Sequence, residues 1–238
     1  MHVVMLVYPG LTQLDLTGPF EVLARVPELS LHLVARTLDP VRAGGGLSLL
    51  PTADFAGCPA ADILFVPGGP GQIDLMEDAE TLAFLRLQAA GASLVASVCT
   101  GSLVLAAAGL LAGHRATCHW LSLDQLAHFG VVPVRERVVA DRDRITGAGV
   151  TAGLDLALAV VGRLFGDERA RAVQLAMEYD PAPPYASGSP GRADPALVEA
   201  VRAKSAAFQA KRDAVARRVA ETLLREERAS RHVSEVAR

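Results

Sequence analysis

Cysteine is scarce in this sequence: Cys58, Cys99 and Cys118 are the only three, an odd number with no CxxC pair. That pattern argues against a disulfide framework or a zinc-ligand cluster and for a reducing compartment, so a cytoplasmic location is expected. Excess positive charge is missing too. With 23 Lys and Arg against 26 Asp and Glu, the net charge is −3, which leaves little to neutralise a phosphate backbone. A small-molecule partner is expected, and nucleic acid is not. Long hydrophobic runs are absent as well. The apolar opening HVVMLVY, residues 2–8, follows no positively charged segment and covers only about a third of a membrane span. Neither a leader nor a membrane partner is expected.

What the chain does have is the composition of an ordinary globular protein, 51% hydrophobic and 21% charged. Its length suffices to bury roughly 70–75% of the unfolded surface without staples. Residues 2–8 form a β-branched run without polar alternation, the pattern of a strand covered on both faces. The runs LHLVAR (31–36), DILFVPGG (62–69) and SLVASV (93–98) repeat it, with the helical EDAETLAFLRLQAAG between the last two. Alternation of this kind predicts an α/β fold, a doubly wound, mostly parallel sheet with helices on both faces.

Thr17, Gly18 and Pro19 read as a helix start, which places Asp15 in the loop after the first strand. After Cys99, SLVLAAAGLLAG predicts a helix closed by glycine, RATCHW a short strand and LSLDQLAHFG another helix. RVVADRDRITGAG predicts a hairpin turning at 141–143, followed by the helix TAGLDLALAVVGRLFG. Residues 181–195 concentrate proline, glycine and serine and predict an irregular excursion, with a domain linker as the alternative. Residues 196–231 are helical by composition, with too small an apolar stripe for a core of their own. The chain is therefore read as one domain, 1–238, whose C-terminal helical extension packs on that domain or on a partner subunit.

The sharpest local feature is SVCTGS, where an apolar strand ends and a small-residue helix begins at Cys99. A side chain at such an elbow projects above the carboxyl edge of the sheet, where open α/β folds bind ligands. The sulfur would face unpaired helix N-terminal amides, which favour thiolate. Those amides do not suffice. Lowering a thiol pKa from ~8.5 to ~6.5 takes about 2.7 kcal/mol, and a helix N-terminus supplies ~0.3–1. Another group must contribute, and the residue after Cys99 is Thr100, not a histidine. The plainer alternative is a buried structural thiol.

Asp15, between Leu14 and Leu16, is expected at the same sheet edge. There desolvation and a neighbouring thiolate would raise its proton affinity. Alternatively it only solvates a turn. Gly68 and Gly69 in PGGPG let backbone amides approach a developing negative charge, or simply form a strand-to-helix turn. Val150 and Thr151 either line a pocket or pack a turn into the next helix. His119, beside the single tryptophan Trp120, is assigned no catalytic role, and Cys58 and Cys118 read as incidental thiols.

Together, DLTGP, FVPGG, ASVCTGSLVLAAAGLLAGHRAT, HW and TGAGVTAGLD resemble the ThiJ/PfpI superfamily, which is class I glutamine-amidotransferase-like, along nearly the whole domain. Within it, the CTGS elbow, the aspartate in DLTGP, and Glu178-Tyr179 with the prolines of 181–184 resemble the isocyanide hydratases. The resemblance implies a flavodoxin-like homodimer without metal or organic cofactor. Cys99 would be the nucleophile, Asp15 its acid/base partner and Thr100 a hydroxyl bonding near the pair. It also implies hydration of an isocyanide to an N-substituted formamide through a Cys99 thioimidate. Three other readings stay open: a ligand sensor, an oxidation-sensing thiol, and an aldehyde- or amide-directed cysteine enzyme of the same superfamily.

Overall fold

The computed structural model describes residues 1–236, with side chains to Glu226; the last two residues of the 1–238 unit lie outside the described residues. The first half runs β1 (His2–Leu6), α1 (Gln13–Leu23), β2 (Ser30–Ala35), β3 (Val41–Arg42), β4 (Ser48–Leu49), β5 (Ala53–Asp54), β6 (Ile63–Val66), α2 (Gln72–Leu75), α3 (Ala79–Gly91) and β7 (Leu94–Val98). Then come α4 (Gly101–Ala107), β8 (Arg115–Ala116), a 3-10 helix (Leu123–Phe129), β9 (Val132–Pro133), β10 (Val138–Asp141) and β11 (Arg144–Gly147). Helices α5 (Ala152–Phe165), α6 (Asp167–Ala176) and α7 (Pro195–Val236) complete the chain.

The main sheet has seven strands in the order β10-β11-β7-β6-β1-β2-β5. Every pairing is parallel except β10 with β11. Strands β6 and β7 are buried at every position, and β1 at all but its first. That is why they lack the apolar–polar alternation of a one-sided strand. Their parallel register brings the carboxyl ends of β1, β6 and β7 side by side, and the loops leaving those ends build the site.

Helix α1 begins earlier than the sequence indicates. Its N-cap is Thr12, so Asp15 lies in the first helical turn rather than in a loop. Thr17 is not a cap; its hydroxyl donates to the Gln13 side chain (2.8 Å). Pro19 sits inside the helix, where it offers no N–H to the Asp15 carbonyl four residues back. Packing of α1 on α5 tolerates this, because Gly153 makes room: a Cβ there would lie 2.9 Å from the Pro19 ring.

Other elements also differ from expectation. Helix α4 stops at Ala107, and the segment LSLDQLAHFG yields 3-10 rather than α-helix, closed by left-handed Gly130. The hairpin occurs as read, with Arg142 at φ 57° in its turn. Residues 181–194 carry no helix or strand. Just before them, Tyr179 donates from its hydroxyl to Asp155 of α5 (3.2 Å). Helix α7 then folds back over α4, α2 and the 3-10 helix, burying Val215, Ala216, Ala220 and Arg212. No helix among the described residues is long and apolar enough to cross a membrane.

Candidate active site

Cys99 joins β7 to α4 with φ 57°, a left-handed conformation that a non-glycine residue holds at a cost of about 1–3 kcal/mol. Its amide donates to Gly147 O of β11 (3.0 Å), which anchors the turn. The tight elbow depends on the next residue but one: a Cβ on Gly101 would stand 2.2 Å from the Val66 carbonyl. Cys99 as a residue is 6% exposed.

Asp15 is fully buried. One carboxyl oxygen, Oδ2, accepts from the Gly68 amide (3.0 Å), while Oδ1 has no hydrogen-bond partner. Burial raises its pKa to about 7, against weaker lowering by the Cys99 thiol and the Gly68 amide. Burial likewise pushes the Cys99 thiol well up, helped by the Asp15 charge and by Cys118, and the Thr100 amide offsets only part of this. Desolvation therefore outweighs the helix N-terminus that the sequence brings to the sulfur. With Asp15 raised to about 7 and Cys99 well above its usual range, the pair gives up its first proton near neutral pH and keeps the second.

The Thr100 hydroxyl bonds Gly69 rather than the carboxyl group, accepting from its amide (3.0 Å) and facing its carbonyl (3.4 Å). The amides of Gly68 and Gly69 are thus already occupied, by Asp15 and Thr100, and neither is a free donor for an oxyanion. Glycine is required at 68 for space instead: a Cβ would lie 2.5 Å from the Thr100 nitrogen and 2.8 Å from Asp15 Oδ2.

Val150 packs half-buried against the core. Thr151 is exposed and accepts from Arg137 at 3.4 Å. His119 accepts from the Leu121 amide at Nδ1 (3.3 Å), and burial lowers its pKa. Arg202 lies over the Trp120 ring at 5.0 Å. Cys118 is wholly buried, which pushes its thiol up to about 12. Tyr8, at the end of β1, donates to Pro67 O (2.9 Å).

Two grooves lie elsewhere and include neither Cys99 nor Asp15. One of 330 Å³ runs between α5 and α6, and one of 710 Å³ lies over the β1–β2 end near Arg36, Arg42 and Phe55. Among the described residues, no group of three His, Cys, Asp or Glu is placed to hold a metal ion.

A thiol at a tight strand-to-helix elbow beside a buried carboxyl group, on a sheet of this order, defines a class, and the chain belongs to it: the DJ-1/PfpI family, whose model matches residues 1–163. Among individual relatives, an isonitrile hydratase of Pseudomonas putida is 51% identical over 206 residues, 87% of this chain and 90% of that protein. A crystal structure of a ThiJ/PfpI family protein from Pseudomonas syringae superposes with a TM-score of 0.88 at 47% identity, covering 90% of each chain. The HTH-type transcriptional regulator GbdR of Pseudomonas aeruginosa is 33% identical over 183 residues, 74% of this chain but 50% of the regulator.

Proposed function

We propose that this chain is an isocyanide hydratase in which Cys99 attacks the terminal carbon of R–N≡C and Asp15 carries the protons. The observation that carries the reading is the buried Asp15 carboxyl group beside Cys99, with a pKa of about 7 and one oxygen unpartnered. Likeness to the P. putida isonitrile hydratase supports it, isonitrile and isocyanide being one functional group. A slender linear R–N≡C end also suits a cysteine that is 6% exposed.

Attack on an isocyanide carbon proceeds only when the charge it creates is quenched at that same carbon. Sulfur and proton must therefore converge on one atom. With the retained proton on Asp15, the Cys99 thiolate forms the C–S bond while Asp15 protonates the carbon, giving the thioimidate R–N=CH–S–Cys99. The carboxylate then takes a proton from water, hydroxide adds to the carbon, and that proton passes to nitrogen. Collapse returns the hydroxyl proton to Asp15, breaks the C–S bond and releases R–NH–CHO with the thiolate restored. In this reading Thr100 acts by holding Gly69, and Val150 and Thr151 flank the substrate entrance. Residues 1–238 act as one cytoplasmic unit, paired as a homodimer.

The deciding experiment follows conversion of phenyl isocyanide to N-phenylformamide by chromatography under reducing conditions. Saturable turnover above the protein-free rate is expected. Binding without turnover would instead favour a ligand sensor, the reading that likeness to GbdR supports. Gly68→Ala is expected to lower turnover by about 10²-fold, because the added Cβ displaces both Thr100 and Asp15. Turnover within threefold of wild type would show that the Gly68 contact does not set the pair's geometry.

A further inference from the structure

Among the described residues, Arg212 is the one buried arginine or lysine, 4% exposed. It lies on α7, beyond the segment matched by the family model. Its partners are neutral: Nε donates to Gln72 Oε1 (2.8 Å), Nη1 to Ser122 Oγ (2.9 Å), and the guanidinium covers the Phe208 ring at 4.6 Å. No carboxylate pairs with it among the described residues. Burying a cation without a counter-charge is unfavourable by several kcal/mol, and such an arrangement persists where a negative charge arises nearby.

Hydrogen bonds connect Arg212 to the elbow. Gln72, whose side chain accepts from it, donates its backbone N–H to Gly69 O (3.2 Å), and the Gly69 amide donates to the Thr100 hydroxyl (3.0 Å). On the other side, the Ser122 amide donates to His119 O (2.8 Å), next to Cys118. The ionisable groups coupled to the Cys99 thiol are Asp15 on α1, Tyr8 at the end of β1, Cys118 after β8 and Arg212 on α7, and His119 faces the Arg212 charge. Cys118, Cys99 and Tyr8 all interact with the Arg212 charge.

We propose that Arg212 is a positioning residue for Cys99: its buried, carboxylate-free charge favours the thiolate, and its bonds to Gln72 and Ser122 fix the β6 loop against the elbow. Its positive charge opposes the burial and the Asp15 charge that push the Cys99 thiol up. The idea rests on Cys99 being the reacting group, so its test reads the thiol itself and not turnover.

Alkylation of Cys99 by iodoacetamide in the full-length protein, resolved by peptide mass spectrometry from pH 5 to 10, gives the titration curve. R212Q is expected to move the curve up by about one pH unit, roughly tenfold slower alkylation at pH 7, whereas R212K stays within about threefold of wild type. V215A, which loosens α7 without changing charge, should leave the curve in place. S122D keeps the arginine but gives it a counter-charge, and should also move the curve up; it decides the matter if R212Q fails to fold. Folded R212Q or S122D with the wild-type curve overturns the proposal, as does a V215A shift equal to that of R212Q. A wild-type protein that hydrates no isocyanide but shows these shifts defeats the hydratase reading and leaves Arg212 in its role. Absence of Cys99 alkylation at every pH overturns both.

Discussion

Cys99→Ala is expected to bring isocyanide turnover down to the protein-free rate, a loss of at least ~10⁴-fold, as found when a covalent nucleophile is removed from a working constellation. The remaining site cannot substitute. Cys118 is nearby, but burial pushes its thiol up to about 12, and Cys58 lies in the loop before β6, with burial pushing its thiol to about 11. Alanine at 118 or 58 should therefore leave turnover within about tenfold of wild type. The variant is expected to fold, since alanine differs from cysteine only by the sulfur and the backbone retains its Cys99–Gly147 hydrogen bond. Chromatographic assay of all three variants, with circular dichroism as the folding control, decides the point. Residual activity above one-hundredth of wild type in Cys99→Ala would remove the covalent step from the mechanism.

Asp15→Asn is expected to trade activity for stability, in a way that depends on pH. Turnover should fall by about 10²–10⁴-fold, the usual contribution of a positioned acid or base. Wild-type turnover should itself rise with pH through about 7, where the pair gives up its first proton, and be lost about tenfold per unit below that. The stability effect has a definite sign. A carboxyl group raised from 3.8 to about 7 binds its proton more tightly folded than unfolded. Its linkage contribution is thus most favourable below pH 4, declines as pH rises from about 4 to 7, and is constant above. The upper limit of that decline is on the order of 4 kcal/mol. Asparagine does not ionise, so the variant should melt several degrees above wild type at pH 8 and close to it at pH 4. A melting difference that does not change with pH would mean that Asp15 ionises without a desolvation penalty. Full turnover would show that the proton travels by another route.

The strands and the elbow were legible because their signals are local. β-branched runs buried on both faces cannot be written in many other ways, and a strand that stops at cysteine before small residues leaves few conformations for the turn. The sequence points to a loop for Asp15 because proline is preferred at helix starts, whereas Pro19 sits in a helix interior that Gly153 accommodates from α5. That accommodation is tertiary and leaves no mark near residue 19. Strands β3, β4 and β5 have two residues each, too few for any period to show. Helix α6 leaves no apolar period in the sequence, since its DERARAVQLA has a single buried residue, Val173. The occupied amides of Gly68 and Gly69 depend on which side chains arrive from α1 and the elbow. Arg212 is one of many charges on α7, and only docking of that helix distinguishes it from its solvated neighbours.

The spacing at Gly68 and Gly101 also bears on how such a protein diversifies. The loop leaving β6 and the elbow leaving β7 touch at backbone distance, with no room for a methyl group between them. Neither can be lengthened, shortened or decorated without remaking the other, so stepwise variation there passes through inactive intermediates. On the proposed reading, in which Val150 and Thr151 flank the substrate entrance, altered substrate preference is expected from the periphery, at the start of α5 and along α7. A library aimed at altered specificity belongs in those two helices, with the glycines left alone.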